Sequence, residues 1–112
     1  MTIFQKILDG KIPADMVWED EKAVAFRDIE PKAPVHVLVI PRKPYRNIGE
    51  GATEDPELMG HLLWVCSQIA EQEGIAESGY RVITNKGDEG GQSVDHLHFH
   101  ILGGRQLGWT PS

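Results

Sequence analysis

A chain of 112 residues, 40% of them hydrophobic, is long enough for a single domain with its own core, because a chain of this size buries roughly 60 to 70% of its unfolded surface. Eleven basic against 17 acidic residues give a formal net charge of -6, which argues against a nucleic-acid polymer as partner and leaves room for a small anion in one local pocket. The single Cys66 makes no internal disulfide, the start MTIFQKILDG lacks the regions of a signal peptide, and no apolar run approaches the about 20 residues of a membrane helix, so a reducing, cytoplasmic setting is expected.

Residues 1–112 are read as one domain, without repeats, low-complexity segments or a dividing linker. Thr2 followed by Gln5 fits a capping box, and Ile3, Phe4, Ile7 and Leu8 share one face of a short helix that Gly10 ends. MVWEDEKAVAF reads as two strands around a polar turn from Glu19 to Lys22. PVHVLVIP, residues 34–41, is apolar on both faces and bracketed by prolines, the pattern of a central strand, and the basic PRKPYRN after it reads as a solvated loop. The clearest helix starts near Asp55 and Pro56 and carries Leu58, Leu62, Val65, Cys66, Ile69 and Ala70 on one stripe until Gly74, with His61 off the stripe as a surface residue. YRVITN and HLHFHIL supply two more strands. The sum is an α+β domain: an antiparallel sheet of about five strands, one long and one short helix, and helix covering one face.

The segment DHLHFHILGG concentrates three of the five histidines at every second position. In an extended strand His96, His98 and His100 share one face while Leu97, Phe99 and Ile101 pack on the other. One histidine on a buried face is ordinary; three, each needing a donor and an acceptor, point to a chemical site. Zinc is the obvious candidate ligand, yet same-face Cα atoms recur about every 6.6 Å, which puts His96 and His100 about 13 Å apart, too far to share one ion comfortably. Phosphoryl chemistry fits better. TNKGDEGGQSVD runs into the histidine strand, where Gly87, Gly90 and Gly91 let backbone N–H groups approach a phosphate and Asn85, Gln92 and Ser93 add side-chain donors. A module that holds a nucleotide without reacting with it is a third reading.

The run His96-Leu97-His98-Phe99-His100-Ile101-Leu102 resembles the motif of the histidine triad (HIT) superfamily. The resemblance extends over IFQKILDGKIPA, AFRDIEPKAPVHVLVIPRK, GYRVITNKGDEGGQSV and HLHFHILGGRQLGW, nearly the whole chain, and the tail GGRQLGWTPS is more similar to the purine nucleoside phosphoramidase branch than to the dinucleoside polyphosphate hydrolases. It implies a nucleophile at His98, phosphate contacts from His100, Asn85, Gly91, Gln92 and Ser93, and supporting roles for His96 and His36. It also implies that Asp28 binds the ribose hydroxyls and that Ile3, Phe4, Ile7, Phe26, Ile29 and Leu38 line a slot for the purine. The expected partners are an adenosine or guanosine nucleotide and a second copy of the chain, with two sheets joined into ten strands and the Trp109 tail reaching toward the partner's site. No metal or other cofactor is expected. Two functional readings stand side by side: an enzyme that cleaves the P–N bond of purine nucleoside 5'-phosphoramidates through a nucleotidyl-histidine, and a nucleotide-binding partner protein with incidental turnover.

Overall fold

In the computed structural model, which describes residues 1–109, the chain runs through α1 (Ile3–Leu8), β1 (Met16–Glu19), β2 (Ala23–Arg27), β3 (Val35–Pro41), α2 (Ile48–Glu54), α3 (Pro56–Gln72), β4 (Tyr80–Ile83) and β5 (Phe99–Gly103). The five strands form one antiparallel sheet in the order β1-β2-β3-β5-β4. As its two-sided apolar pattern predicts, β3 is central, with Val37 through Ile40 all buried. Among the described residues, no helix is long and apolar enough to cross a membrane.

Alternation in the strands divides the interior into two cores. Ala23, Ala25, Val37, Val39, Leu97, Phe99 and Ile101 point to one face, where α3 lays down Leu58, Leu62, Val65, Cys66, Ile69 and Ala70. Each large side chain buried there contributes about 1.5 to 3 kcal/mol. Val24, Phe26, Leu38 and Ile40 point to the other face and meet Phe4 of α1, with Ile7, Leu8 and Val94 packed against the group. Helix α3 therefore covers one face of the sheet, as expected, and the short α1 packs against part of the other through Phe4.

Local signals account for the helix ends. Thr2 caps α1 by accepting from the Gln5 N–H at 3.1 Å; the Gln5 amide turns to Asp9, so half of the expected capping box forms. Asp55 caps α3 by accepting from the Leu58 N–H at 3.2 Å, with Pro56 in the first turn. Helix α2 is additional to the two expected. Its sequence, IGEGATE, has two glycines and no apolar stripe, but it does begin with a cap: Asn47 accepts from the Glu50 N–H at 3.0 Å, and Glu50 accepts from the Arg46 N–H at 2.9 Å.

His61 is more than a surface residue. Its Nε2 lies 2.8 Å from Asp20 Oδ2, pinning α3 to the β1–β2 turn, and Asp20 also accepts from Trp18 Nε1 and the backbone of Lys22 and Ala23. Burial opposes the charge on Asp20, but these donors outweigh it and hold its pKa down to about 2.

Candidate active site

The site lies on the α1 face of the sheet, where β3 and β5 run side by side. Register pairs Leu38 with His100 and His36 with Leu102, so His36 and His100 rise from adjacent strands on the same face. Only His100 belongs to β5. His96 and His98 sit in the segment leading into it, a correction to a single strand carrying all three; that segment pairs instead with the loop after β3, through the Leu97 N–H and the Tyr45 carbonyl at 2.8 Å. The alternation nevertheless holds, with Leu97, Phe99 and Ile101 in the α3 core and the histidines on the opposite side.

Backbone groups decide where each imidazole carries its proton. The Lys32 N–H can only donate, and it does so to His36 Nδ1 at 3.1 Å; His36 must therefore be protonated on Nε2. That Nε2 is 2.9 Å from His100 Nδ1, so His100 accepts there and carries its own proton on Nε2. The His96 carbonyl accepts from His98 Nδ1 at 2.7 Å, and the Pro41 carbonyl accepts from His96 Nε2 at 3.0 Å. The outcome is a lone pair on His98 Nε2 and a donor on His100 Nε2, in rings whose centroids are 5.0 Å apart.

Burial keeps these rings neutral. It lowers the pKa of His36, His96 and His98 below the ordinary 6.5, and it takes His100, with further repulsion from His98 and His36, down to about 4. His98 is thus unprotonated and nucleophilic throughout the neutral range.

A cavity of about 240 Å³ opens in front of the rings. Ile3, Phe4, Ile7, Phe26 and Leu38 wall it, as the resemblance implied, with Ile29 at its rim and 91% exposed. Asp28, Ser93, His98, His100 and Arg27 supply its polar lining, and Asp28 Oδ2 lies 3.5 Å from His36 Nε2. A larger hollow, of about 660 Å³, lies between the C-terminus of α3, the start of β4 and residues 104–107, but no imidazole faces it.

Asn85, Gly91 and Gln92 do not wall the cavity. They build the loop that delivers Ser93: Asn85 Nδ2 donates to the Gly90 carbonyl, the Gly91 N–H donates to the Asp88 carbonyl, and Gln92 accepts from the Gly87 N–H while donating to the Arg46 and Val94 carbonyls. Two of the three glycine N–H groups expected to cradle a phosphate, those of Gly87 and Gly91, are thus spent within the loop. Gly87 and Gly91, with φ of 72° and 76°, serve the turn itself.

Sequence reasoning missed Ile12, Pro13, Ala14 and Val94, which complete the apolar wall. The apolar run IPA directly after the first helix was the available signal for three of them. It also missed the Lys32 N–H, because a backbone donor four residues before a histidine has no sequence signature.

The HIT domain family model matches residues 9–107. The chain belongs to the HIT domain family. Among its relatives is the purine nucleoside phosphoramidase of Escherichia coli K12, 49% identical over 107 residues, covering 96% of this chain and 90% of that one. A 14 kDa zinc-binding protein of Zea mays is 50% identical over 112 residues, covering 98% and 87%. The crystal structure of a HIT family hydrolase from Legionella pneumophila superposes with a TM-score of 0.96 at 45% identity, each chain covered in full.

Proposed function

We propose that this HIT protein is a purine nucleoside phosphoramidase that hydrolyses the P–N bond of adenosine and guanosine 5'-phosphoramidates. The observation that carries the reading is the paired state of two rings: His98 presents a lone pair on Nε2, and His100 presents a proton on Nε2, where both line a largely apolar slot. Nε2 of His98 attacks phosphorus, the P–N bond breaks, and the amine leaves with a solvent proton relayed through the His100 Nε2–H or the Ser93 hydroxyl, both of which line the cavity. Water then hydrolyses the nucleotidyl-histidine to the nucleoside monophosphate and restores the imidazole. Asp28 accepts from the ribose hydroxyls. Its carboxylate has acceptor capacity to spare beyond the Glu30 N–H, which it receives at 2.8 Å.

Apart from Arg27, whose guanidinium is paired with Glu73 and Asp15, and the polar groups already named, the slot is lined by aliphatic side chains and Phe4 and Phe26. Shape and stacking select a flat purine there, which favours similar handling of adenine and guanine. The dimer belongs to the same reading. β4 is an edge strand with Tyr80 and Val82 more than a third exposed, and Arg81 donates to the Gly108 carbonyl while Trp109 stays 90% exposed, not folded back on its own protomer.

Zinc, suggested by the name of the maize relative, fits these residues poorly. Asp28, His36 and His100 each offer an atom within 4.8 Å of the others. The Lys32 N–H, however, occupies Nδ1 of His36 and forces the proton onto the Nε2 that a cation would need.

A fluorogenic adenosine phosphoramidate tests the assignment. Turnover that follows saturation, and that the His98→Ala variant lacks, is the expected result. A protein that binds the nucleoside monophosphate tightly and releases no amine would be the nucleotide-binding partner protein instead.

A further inference from the structure

Helix α1 has six residues and buries one side chain, Phe4, which is 5% exposed. The Phe4 ring meets His98 with centroids 4.9 Å apart at 84°, His96 at 6.1 Å and 75°, and Phe26 at 5.5 Å and 68°. His100, two residues further on, lies at 5.0 Å and 63° from His98. Near-perpendicular contact with one ring and a steep tilt against another leave the His98 imidazole little room to turn about its last torsion. That torsion is otherwise soft and roughly two-fold, and a half-turn would exchange Nδ1 with Cδ2 and Nε2 with Cε1. The single hydrogen bond to the His96 carbonyl would then be lost, together with the lone pair aimed at the cavity.

We propose that Phe4 is a positioning residue for the transfer step: besides walling the base slot, its ring clamps the His98 imidazole against His100 so that Nε2 stays aimed at phosphorus. The proposal rests on His98 being the nucleophile. A base-slot wall would need only apolar bulk at this position, which Ile3 and Ile7 also supply; the edge-to-face contacts with two of the triad rings go beyond it. Phe4 also helps keep water from His98, whose pKa burial lowers. The other ionisable groups around that ring are His96, His100 and Asp28, with His36 behind His100.

Base-free ribose 5-phosphoramidate separates the two roles, because a substrate without a base gains nothing from a base wall. Phe4→Leu keeps apolar bulk and Phe4→Ala removes it; Phe4→Leu carries the test if Phe4→Ala fails to fold. In single-turnover experiments Phe4→Leu should slow formation of the histidine adduct about 2- to 10-fold, the range for loss of an aromatic pair, with the base-free substrate as well as with the adenosine one. The acid limb of the rate should move up toward pH 6.5. ¹⁵N spectra of the ring nitrogens should show one Nδ1–H tautomer for His98 in the unmodified protein and a mixture in the variant. A loss confined to the base-bearing substrate, with an unchanged pH profile and a single tautomer, would reduce Phe4 to a wall and overturn the clamp. If the unmodified protein cleaves neither substrate, the phosphoramidase reading is what fails, and the tautomer spectra alone decide the clamp.

Discussion

Acidification should destabilise this protein well before its carboxylates titrate. Four histidines are held neutral by burial, three of them less than 9% exposed, and an unfolded chain would bind their protons near pH 6.5. A base whose folded pKa is depressed adds stability that is present in full above 6.5 and is lost as pH falls toward the folded value, because the unfolded state takes up protons first. For His100 the fall from 6.5 to about 4 corresponds to about 3 kcal/mol, a large share of the 5 to 15 kcal/mol typical of a small domain. The other three add in the same direction. Urea unfolding at pH 7.5 and at pH 4.5 measures the difference, and it should fall by about 2 to 3 kcal/mol across that window from His100 alone. A His100→Asn protein should show a shallower slope. Asp20 belongs to a separate, lower window, keeping its contribution until pH falls below 3.8 toward about 2. Stability that is level between pH 7.5 and 4.5 would refute the neutral, desolvated cluster and with it the tautomer assignments.

Asp28→Asn should weaken binding of a nucleoside monophosphate roughly 5- to 150-fold, the equivalent of about 1 to 3 kcal/mol for hydrogen bonds to a charged acceptor, and should erase the preference for ribose over 2'-deoxyribose; isothermal titration of both sugars checks it. Dialysis against a chelator should leave phosphoramidate cleavage intact, since His36 holds its proton where a cation would bind; loss of activity restored by zinc would reverse that conclusion. Gly91→Ala should destabilise the loop before the triad by roughly 1 kcal/mol, because φ of 76° suits glycine, and thermal unfolding reads it.

What the sequence disclosed follows from how far each signal reaches. β3 and α3 were legible because burial on both faces of a strand and a sustained apolar stripe are local patterns that packing reinforces. α2 was missed because its two glycines outweighed its cap, Asn47, which stabilises one turn while the helix's place depends on packing beside α3. The triad's shared face was readable from period two, and the slot's aromatic and aliphatic walls came from the family resemblance. The tautomers were not readable, because they hang on carbonyls and an N–H supplied by Pro41, His96 and Lys32, atoms every residue has. The glycine loop misled for a related reason: glycine reports backbone freedom, and only the fold shows that the Gly87 and Gly91 N–H groups are spent on the loop itself.

Rapid quench of the unmodified protein with an adenosine phosphoramidate tests the central claim most directly. The expected product is an acid-labile mass increase of one nucleoside monophosphate on the peptide containing His98, formed no more slowly than steady-state turnover and absent from His98→Ala, which should still bind the nucleotide. An adduct on His96 or His100, or full activity in His98→Ala, would contradict the assignment of the nucleophile.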